Sequence, residues 1–518
     1  MVPRANAPSA IAWRGWERSA FDDARHGRKL VLLHIAASWS HSGHQMDAEA
    51  WTDSAVVRLV HDNFIPIRVD ADRRPDIADR YLAGGWPTTA VLNADGQELL
   101  AQPVVEPRGL RQFLTHMLDL YRKSRSELEL RSQESARRVA GTWKSEPAPP
   151  PEMSLDDWVD RNLAAVREAE DHDHGGLLGA PKNPPFEAAR FLFAVTATHP
   201  DEPLRSLGLR LLDASFHLED TEWGGFYRMA SDADWKNPRT EKLLDVNARA
   251  IDALVAATEQ GGGAPYREAA RRTEAWAGKR LWTTRGGWYG SESADAIASD
   301  GSGRWIGGDV YYGLPDHFRR LQGAPAVDSS LYAEQNARMA AAVLRGAAAG
   351  LWKGAPVARA VKALDRLWSS QRAPDGSLYH EWRNGRRALP GRLMDQAEAG
   401  VAYLQAYAVT GEARHLARAE SLAVWMRAHL EDKVAGGFRY APRAPDAIGR
   451  LAAGEKPEQG NLDAGWLYWR LWQLKHRPED RRSAQRALES LRSGDTVVLD
   501  PAEAELGLAM RAGPAASP

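Results

Sequence analysis

The chain has 518 residues, 43% hydrophobic and 26% charged, with a formal net charge of −2 and no cysteine. The length calls for several domains, and the charge offers no basic footprint for nucleic acid. The missing cysteines exclude disulfides, thiol catalysis and cysteine-ligated zinc.

No run of about eighteen apolar residues is present, so no membrane span is expected. The N-terminus, Met1-Val-Pro-Arg-Ala-Asn6, lacks the apolar core of a secretory signal, which predicts a cytoplasmic protein. Twenty Trp against ten Phe is the unusual number. Tryptophans suit pocket walls that are apolar in the body and wet at one edge, although large helical folds also use them for packing.

In chain order, apolar β-branched runs at 30–35, 64–69 and 88–92 read as buried strands. Helical periodicity covers 46–60 and 76–82. Asn93-Ala-Asp-Gly96 is a tight turn into a last strand over 98–105, making a terminal hairpin. The first strand leads into Ser40-His41-Ser42-Gly43-His44, and the third is entered through Trp86-Pro87. Strand, loop, helix and pre-strand proline is the layout of a thioredoxin-like domain. In redox thioredoxins a Cys-x-x-Cys fills that loop, because a thiolate at a helix N-terminus performs disulfide exchange. Serine has no such couple, so Ser40, Gly43, His44, Trp86 and Pro87 form a degenerate thioredoxin loop.

A helix is expected over 109–140, apolar at first and then highly charged. The proline-rich 146–152 is the best domain boundary. Beyond it helices dominate, eleven of them between 155 and 491. A Gly-Gly-aromatic or equivalent turn recurs between them, at Gly175-Gly176-Leu177, Gly224-Gly225-Phe226, Gly286-Gly287-Trp288 and Gly436-Gly437-Phe438, with Asp375-Gly376-Ser377-Leu378 as a variant. Helix pairs joined by glycine turns and repeated about six times predict an α/α toroid, with the following aromatic directed into its opening. An irregular bundle with glycine C-caps is the alternative.

Together the two halves resemble the thioredoxin-like proteins of the YyaL type, which include the spermatogenesis-associated thioredoxin-like proteins of animals. The resemblance spans about residues 10–475. It rests on His44-Gln-Met46 with Trp51, Phe64-Ile-Pro-Ile-Arg-Val-Asp70, Arg74-Pro75-Asp76 and Gly84-Gly85-Trp86-Pro87. Further along it rests on Gly179-Ala180-Pro181-Lys182, Trp235-Lys-Asn-Pro238 through Asn247-Ala248, and Gly286-Gly-Trp-Tyr289 with Ala294-Asp295. The family joins a thioredoxin-like domain to an (α/α)6 barrel of the six-hairpin glycosidase or N-acylglucosamine 2-epimerase kind. The fold this implies is multidomain: an α/β thioredoxin-like domain over 8–107, a connector helix and proline-rich linker over 108–152, an all-α (α/α)6 toroid barrel over 153–493, and a tail over 494–518. The chain departs from the family pattern in both halves. Cys-His-Trp-Cys-His becomes Ser40-His41-Ser42-Gly43-His44, Pro-His-Phe-Glu-Lys becomes Pro238-Arg239-Thr240-Glu241-Lys242, Tyr-Asp-Asn becomes Asp245-Val246-Asn247, and Gln-Asp-Ala-Asp becomes Glu292-Ser293-Ala294-Asp295.

At the barrel mouth the expected catalytic pair is Glu241 with Asp295, since glycoside hydrolysis needs two carboxylates with separated pKa values, and Asp245 could replace either. The competing reading makes Glu241–Lys242 and Asp245–Arg249 ordinary helix-surface ion pairs. Expected substrate-binding residues are Lys182, Trp235, Asn247, Tyr289, Asn336, Asp395, Gln396 and Asp463. His34, His41 and His44 satisfy no metal-ligand spacing, and His44 is expected to pack near Trp86. Asp171-His-Asp-His174 reads as a solvated turn, and His217, His317 and His380 match no epimerase motif. No metal and no cofactor is therefore expected. The expected ligands are a carbohydrate in the barrel and a protein partner at the thioredoxin-like domain, with neither nucleic acid nor membrane involved. Two readings stay open: a carbohydrate-binding or carbohydrate-modifying barrel, and a non-enzymatic scaffold whose barrel is degenerate.

Overall fold

The computed structural model describes residues 9–103, 105–147, 151, 153–492 and 500–512. Ala148, Pro149, Pro150 and Glu152 of the expected linker, and 494–499 and 513–518 of the expected tail, lie outside the described residues. The chain divides into two compact units. One comprises Met1–Lys144, Glu292–Asp328 and Arg443–Glu455; the other comprises Ser145–Ser291, Ser329–Pro442 and Lys456–Pro518.

The first unit is built on four strands, β1 (Leu30–Ala36), β2 (Phe64–Asp70), β3 (Thr88–Leu92) and β4 (Glu98–Gln102), in the order β2-β1-β3-β4. β1 runs parallel to β2 and antiparallel to β3, and β3 pairs antiparallel with β4. All seven residues of β1 are buried, and their side chains alternate between two cores. Leu30 and Leu32 join Trp51, Phe113 and Met117 on one face, while Val31, Leu33 and Ile35 join Phe21, Ile77 and Tyr81 on the other. The helix expected over 46–60 is interrupted: Met46–Ala50 is π-helical, and Asp53 caps a fresh helix, Ser54–Asn63, by accepting from Ala55 N and Val56 N at 2.9 Å. The connector likewise breaks at Ser124 into Pro107–Lys123 and Arg125–Gly141.

Two segments expected in the barrel belong instead to this unit. Ala294 N donates to Trp39 O at 3.0 Å, Arg73 pairs with Asp328 at 3.3 Å, and Arg450 N donates to the Tyr81 hydroxyl at 2.7 Å. Satisfied backbone groups and a buried carboxylate tie them there.

The second unit is a ring of helix pairs. Its helices are α1 (Leu155–Glu168), α2 (Phe186–Thr198), α3 (Glu202–Ala214), α4 (Leu244–Glu259), α5 (Ala264–Trp276), α6 (Ala333–Ala348), α7 (Ala355–Ser370), α8 (Leu393–Thr410), α9 (Ala413–His429), α10 (Glu458–Lys475), α11 (Pro478–Arg492) and α12 (Pro501–Ala512). The even-numbered helices touch in sequence, and α12 returns to α2 to close the ring. Each is backed by an outer helix: α3 behind α2, α5 behind α4, and so on to α1 behind α12. The sixth pair thus joins the two ends of the barrel sequence, and part of the expected tail is its inner helix. Leu506 and Ala504 of α12 are fully buried, which is why this segment is helical.

The glycine turns are locked to the inner helices by side-chain amides. Asn247, Asn336, Gln396 and Asn461 each accept from one backbone N–H after a glycine turn, on Phe226, Trp288, Leu378 and Phe438, at 2.6–2.7 Å. Their amino groups donate back to the carbonyls of those same residues at 2.9–3.2 Å. Each also donates to the carbonyl four residues earlier, just ahead of its helix, at 2.8–3.0 Å. Three turns carry a second lock, in which Lys182, Lys242 and Lys456 reach the carboxylates of Asp171, Asp220 and Asp432 at 2.6, 2.8 and 3.0 Å. Those carboxylates in turn accept backbone N–H groups of their own turns. Asp171 is therefore a buried anchor and not part of a solvated turn. The turn residues Phe226, Trp288 and Phe438 are buried in the wall, so they do not point into the opening. Gly225 has φ +82°, and a Cβ there would lie 2.9 Å from the Trp276 ring.

Asn247→Ala or Asn461→Ala removes an amide and leaves buried backbone groups unpaired. Each is expected to cost about 2–4 kcal/mol in urea unfolding; a loss below about 0.5 kcal/mol would show that the clamp carries no load.

Candidate functional site

The degenerate loop keeps its thioredoxin position. Ser40 caps the following helix, its Oγ accepting from Gly43 N at 3.3 Å, and Trp39 packs edge-on to Trp86 with ring centroids 5.7 Å apart. A Cβ at Gly43 would stand 3.5 Å from Ser40 Cβ, within disulfide range. The histidines do not assemble a metal site. His34 is fully buried between Trp13 and Trp51, and burial, helped by Arg68, pushes its pKa well below the usual imidazole value. His41 Nδ1 and His44 Nδ1 instead grip the two oxygens of Asp295 at 2.7 and 2.6 Å, and Gly308 N donates to the same carboxylate at 3.1 Å. His44 stacks on Trp305 at 4.2 Å, not on Trp86, and its Nε2 lies 3.0 Å from Ser38 O.

Asp295 is thus a residue of the first unit, whereas Glu241 belongs to the second, where it pairs with Arg228 at 2.5 Å. The expected catalytic pair does not form within either unit. Burial alone would raise the Asp295 pKa, but the hydrogen bonds from His41 and His44 outweigh it and hold the group at about 2.

In the barrel, most of the expected substrate-binding residues prove to be architecture. Asn247, Asn336 and Gln396 are the turn clamps, and Lys182 is the lock on Asp171. Trp235 is buried with φ +64°, donates from Nε1 to His174 O at 3.0 Å and stacks against His217. Tyr289 is half-buried and does not line the cavity described below. Asp395 sits in a buried cluster, 3.0 Å from His380 Nδ1 and 3.5 Å from Arg392 Nη1. Glu334 completes a triad spaced to hold a cation. Arg392 already supplies one: its Nη1 lies 3.3 Å from Glu334 and 2.8 Å from His380 Nδ1, and its Nε donates to the Tyr440 hydroxyl at 3.0 Å. A guanidinium among these groups takes the place of a metal ion.

Along the barrel axis lies a cavity of about 380 Å³. Two residues beyond each clamp amide, one inner-helix side chain turns to this axis: Arg249, Arg338, Glu398 and Asp463. Arg338 is the hub. It binds Glu398 through Nε at 2.7 Å and through Nη2, reaches Asp245 through Nη1, and stands 3.7 Å from Asp463 Oδ2. Arg249 pairs with Asp245 at 3.3 Å and with Glu187, so the expected i,i+4 pair exists but inside the network and not on the surface. Burial would raise Asp245, yet Arg338 and Arg249 hold it down at about 2. Asp463 goes the other way. Burial and the neighbouring Glu398 push its pKa well above the usual carboxylate value against the pull of Arg338. Its Oδ1 accepts from Gln459 Nε2 at 2.8 Å, and its Oδ2 has no hydrogen-bond partner among the described residues.

Sequence reasoning found Asp245 and Asp463 but missed Arg338 and Glu398. The signal was present: aligning the repeats on the clamp amide brings the four axial residues into one column.

Residues 3–140 match the family model described as "Protein of unknown function, DUF255". Human spermatogenesis-associated protein 20 is 25% identical over 318 residues, which is 56% of this chain and 40% of that protein; the mouse protein is 25% identical over 320 residues with the same coverage. The chain is similar to these spermatogenesis-associated proteins over a little more than half of its length. It spans about 40% of the length of the curated relatives it matches. In three dimensions a sugar epimerase from a ruminal bacterium aligns with TM-score 0.53 at 13% identity, covering 70% of this chain and 99% of the other. Cellobiose 2-epimerase from Bacillus thermoamylovorans aligns with TM-score 0.53 at 10% identity, covering 69% and 99%. At such identities the likeness is one of fold, and it establishes the α/α toroid. Among the described residues no helix is long and apolar enough to cross a membrane.

Two outcomes test the front loop. Ser40→Cys/Gly43→Cys should form an intramolecular disulfide on mild oxidation, read as a mass loss of two hydrogens; free thiols that resist oxidation in the folded protein would refute the retained geometry. Asp295→Asn should cost about 2–3 kcal/mol at pH 7. The Asp295 pKa is depressed on folding, so its stabilisation is present above the unfolded value near 4 and lost as pH falls through about 2. Urea titrations of both proteins should therefore converge at about pH 2.

Proposed function

We propose that the second unit is a carbohydrate-modifying barrel and that the thioredoxin-like domain is a redox-inactive docking or stabilising module. The supporting observation is the split pair of carboxyl environments around Arg338. Burial and Glu398 push the Asp463 pKa well above the usual carboxylate value and its Oδ2 has no hydrogen-bond partner among the described residues, whereas Arg338 and Arg249 hold the Asp245 pKa down and Arg338 binds Glu398. Groups pushed apart in this way serve as acid and base on one substrate. Asp463 donates its proton to a sugar oxygen as the bond to it weakens, and a neighbouring carboxylate receives the proton of the attacking water. Arg338 holds Asp245 and Glu398 in place, and the Trp466 ring in the cavity wall suits stacking on a sugar face. The sugar-handling proteins that share the toroid agree with the same ligand class.

Histidine-based proton transfer is less well supported. No histidine lines the cavity among the described residues, and His380 is spent on Asp395 and Arg392. The scaffold alternative draws on the extensive ion pairing along the axis, which a purely structural barrel would also contain.

Binding and turnover on a glycan panel separate the two readings. Asp463→Asn cannot donate the proton and avoids the cost of burying the charge, so it should melt no lower than the wild type at pH 7 and lose turnover by about 10²–10⁴-fold. Wild-type stability should fall relative to this variant as pH rises, because the raised Asp463 pKa favours the native state only while the proton is held. Absence of any sugar binding by the folded full chain would leave the scaffold reading standing.

A further inference from the structure

The other end of the same cavity holds a cation that makes no ion pair among the described residues. Arg470 lies seven residues beyond Asp463 on α10, about 10 Å further along the axis at 1.5 Å per residue. It lines the cavity with its guanidinium 5.5 Å from the Trp466 ring centroid. Among the described residues it donates no hydrogen bond and makes no ion pair. Two more arginines occupy this end, and both are engaged: Arg190 pairs with Asp252 at 2.5 Å and Glu505 at 2.8 Å, and Arg345 pairs with Asp252 at 2.7 Å. Arg345 also pairs with Glu259 at 3.0 Å, so three acids are bound by two of the guanidiniums and Arg470 alone of the three has no ion-pair partner among the described residues. Burial, followed by repulsion from Arg345 and Arg190, pulls the Arg470 pKa down. An arriving anion would relieve that strain, and a guanidinium fork fits a planar or tetrahedral oxyanion.

The end around Arg338 has the opposite balance. There Glu187, Asp245 and Glu398 face Arg249 and Arg338, so an anion is repelled from it. The channel is polarised, and a charged ligand can enter it productively in one orientation only.

We infer that the Arg470 end of the cavity binds an oxyanion and that the ligand is an acidic sugar, its carboxylate or phosphate on Arg470 and its reacting bond beside Asp463. This assignment rests on the carbohydrate reading above and adds the charge and direction of the ligand.

The test is calorimetric titration of the full chain with glucuronate, glucose 6-phosphate, glucose and inorganic phosphate. At least one acidic sugar should bind about tenfold more tightly than glucose, and the stronger of the two identifies the anion as carboxylate or phosphate. Arg470→Gln should bring that sugar down to the glucose value, and Arg470→Lys should keep part of the preference. Equal affinities for all three sugars in the wild type would overturn the acidic-sugar assignment while leaving the carbohydrate reading intact. A preference that survives Arg470→Gln would overturn the role of Arg470. Phosphate binding that depends on Arg470, with no sugar bound, would overturn the carbohydrate reading and leave only an anion site. No binding by any probe would overturn both.

Discussion

The barrel depends on one repeated contact, an amide side chain near the start of an inner helix that holds both polar groups of the residue after a glycine turn. A loop entering a helix leaves backbone donors and acceptors that must be satisfied if they are buried. Asn247, Asn336, Gln396 and Asn461 satisfy them and at the same time fix how far each helix is advanced along the ring axis. Because the clamp sets that register, the residue two positions later faces the axis in every case. The convergence of Arg249, Glu398 and Asp463 on Arg338 follows from a structural device elsewhere in the turn.

The same device explains why polar residues near glycine turns mislead. Asn, Gln and Lys beside a barrel mouth look like sugar ligands, since those are the groups that bind hydroxyls. Here their hydrogen-bonding capacity is used up by backbone and by buried aspartates, and an amide already donating two bonds and accepting one has little left for a ligand. The groups with unspent hydrogen-bonding capacity lie further along the same inner helix, on Asp463 and Arg470. Buried charge is tolerated there because nearly every member of the network has an opposite partner, and Arg470 is the exception among the described residues.

The thioredoxin-like domain shows the opposite economy. Its loop has lost sulfur but not shape: Ser40 still caps the helix and Trp39 still meets Trp86. The histidines that accompany the family's cysteines have been given a structural partner, the Asp295 carboxylate, and an aromatic lid, Trp305. The loop thereby serves as a binding surface for the protein's own chain.

From the sequence alone, the fold of both parts was legible, because β1, β2 and β3 announce themselves as short β-branched runs and the helices by a sustained 3.6-residue period. The lack of cysteine in the loop was plain there too, and no geometry can supply a missing sulfur. Asp245 and Asp463 were legible as candidates because carboxylates at helix starts are conspicuous. What folding alone decided was partnership. Asp295 is distant in sequence from His41 and His44, and Arg338 is distant from Asp245 and Glu398, so no local pattern announces those contacts. Ring closure was equally hidden, because α1 and α12 lie at opposite ends of the barrel sequence and only the burial of both faces of α12 shows that it completes the circle.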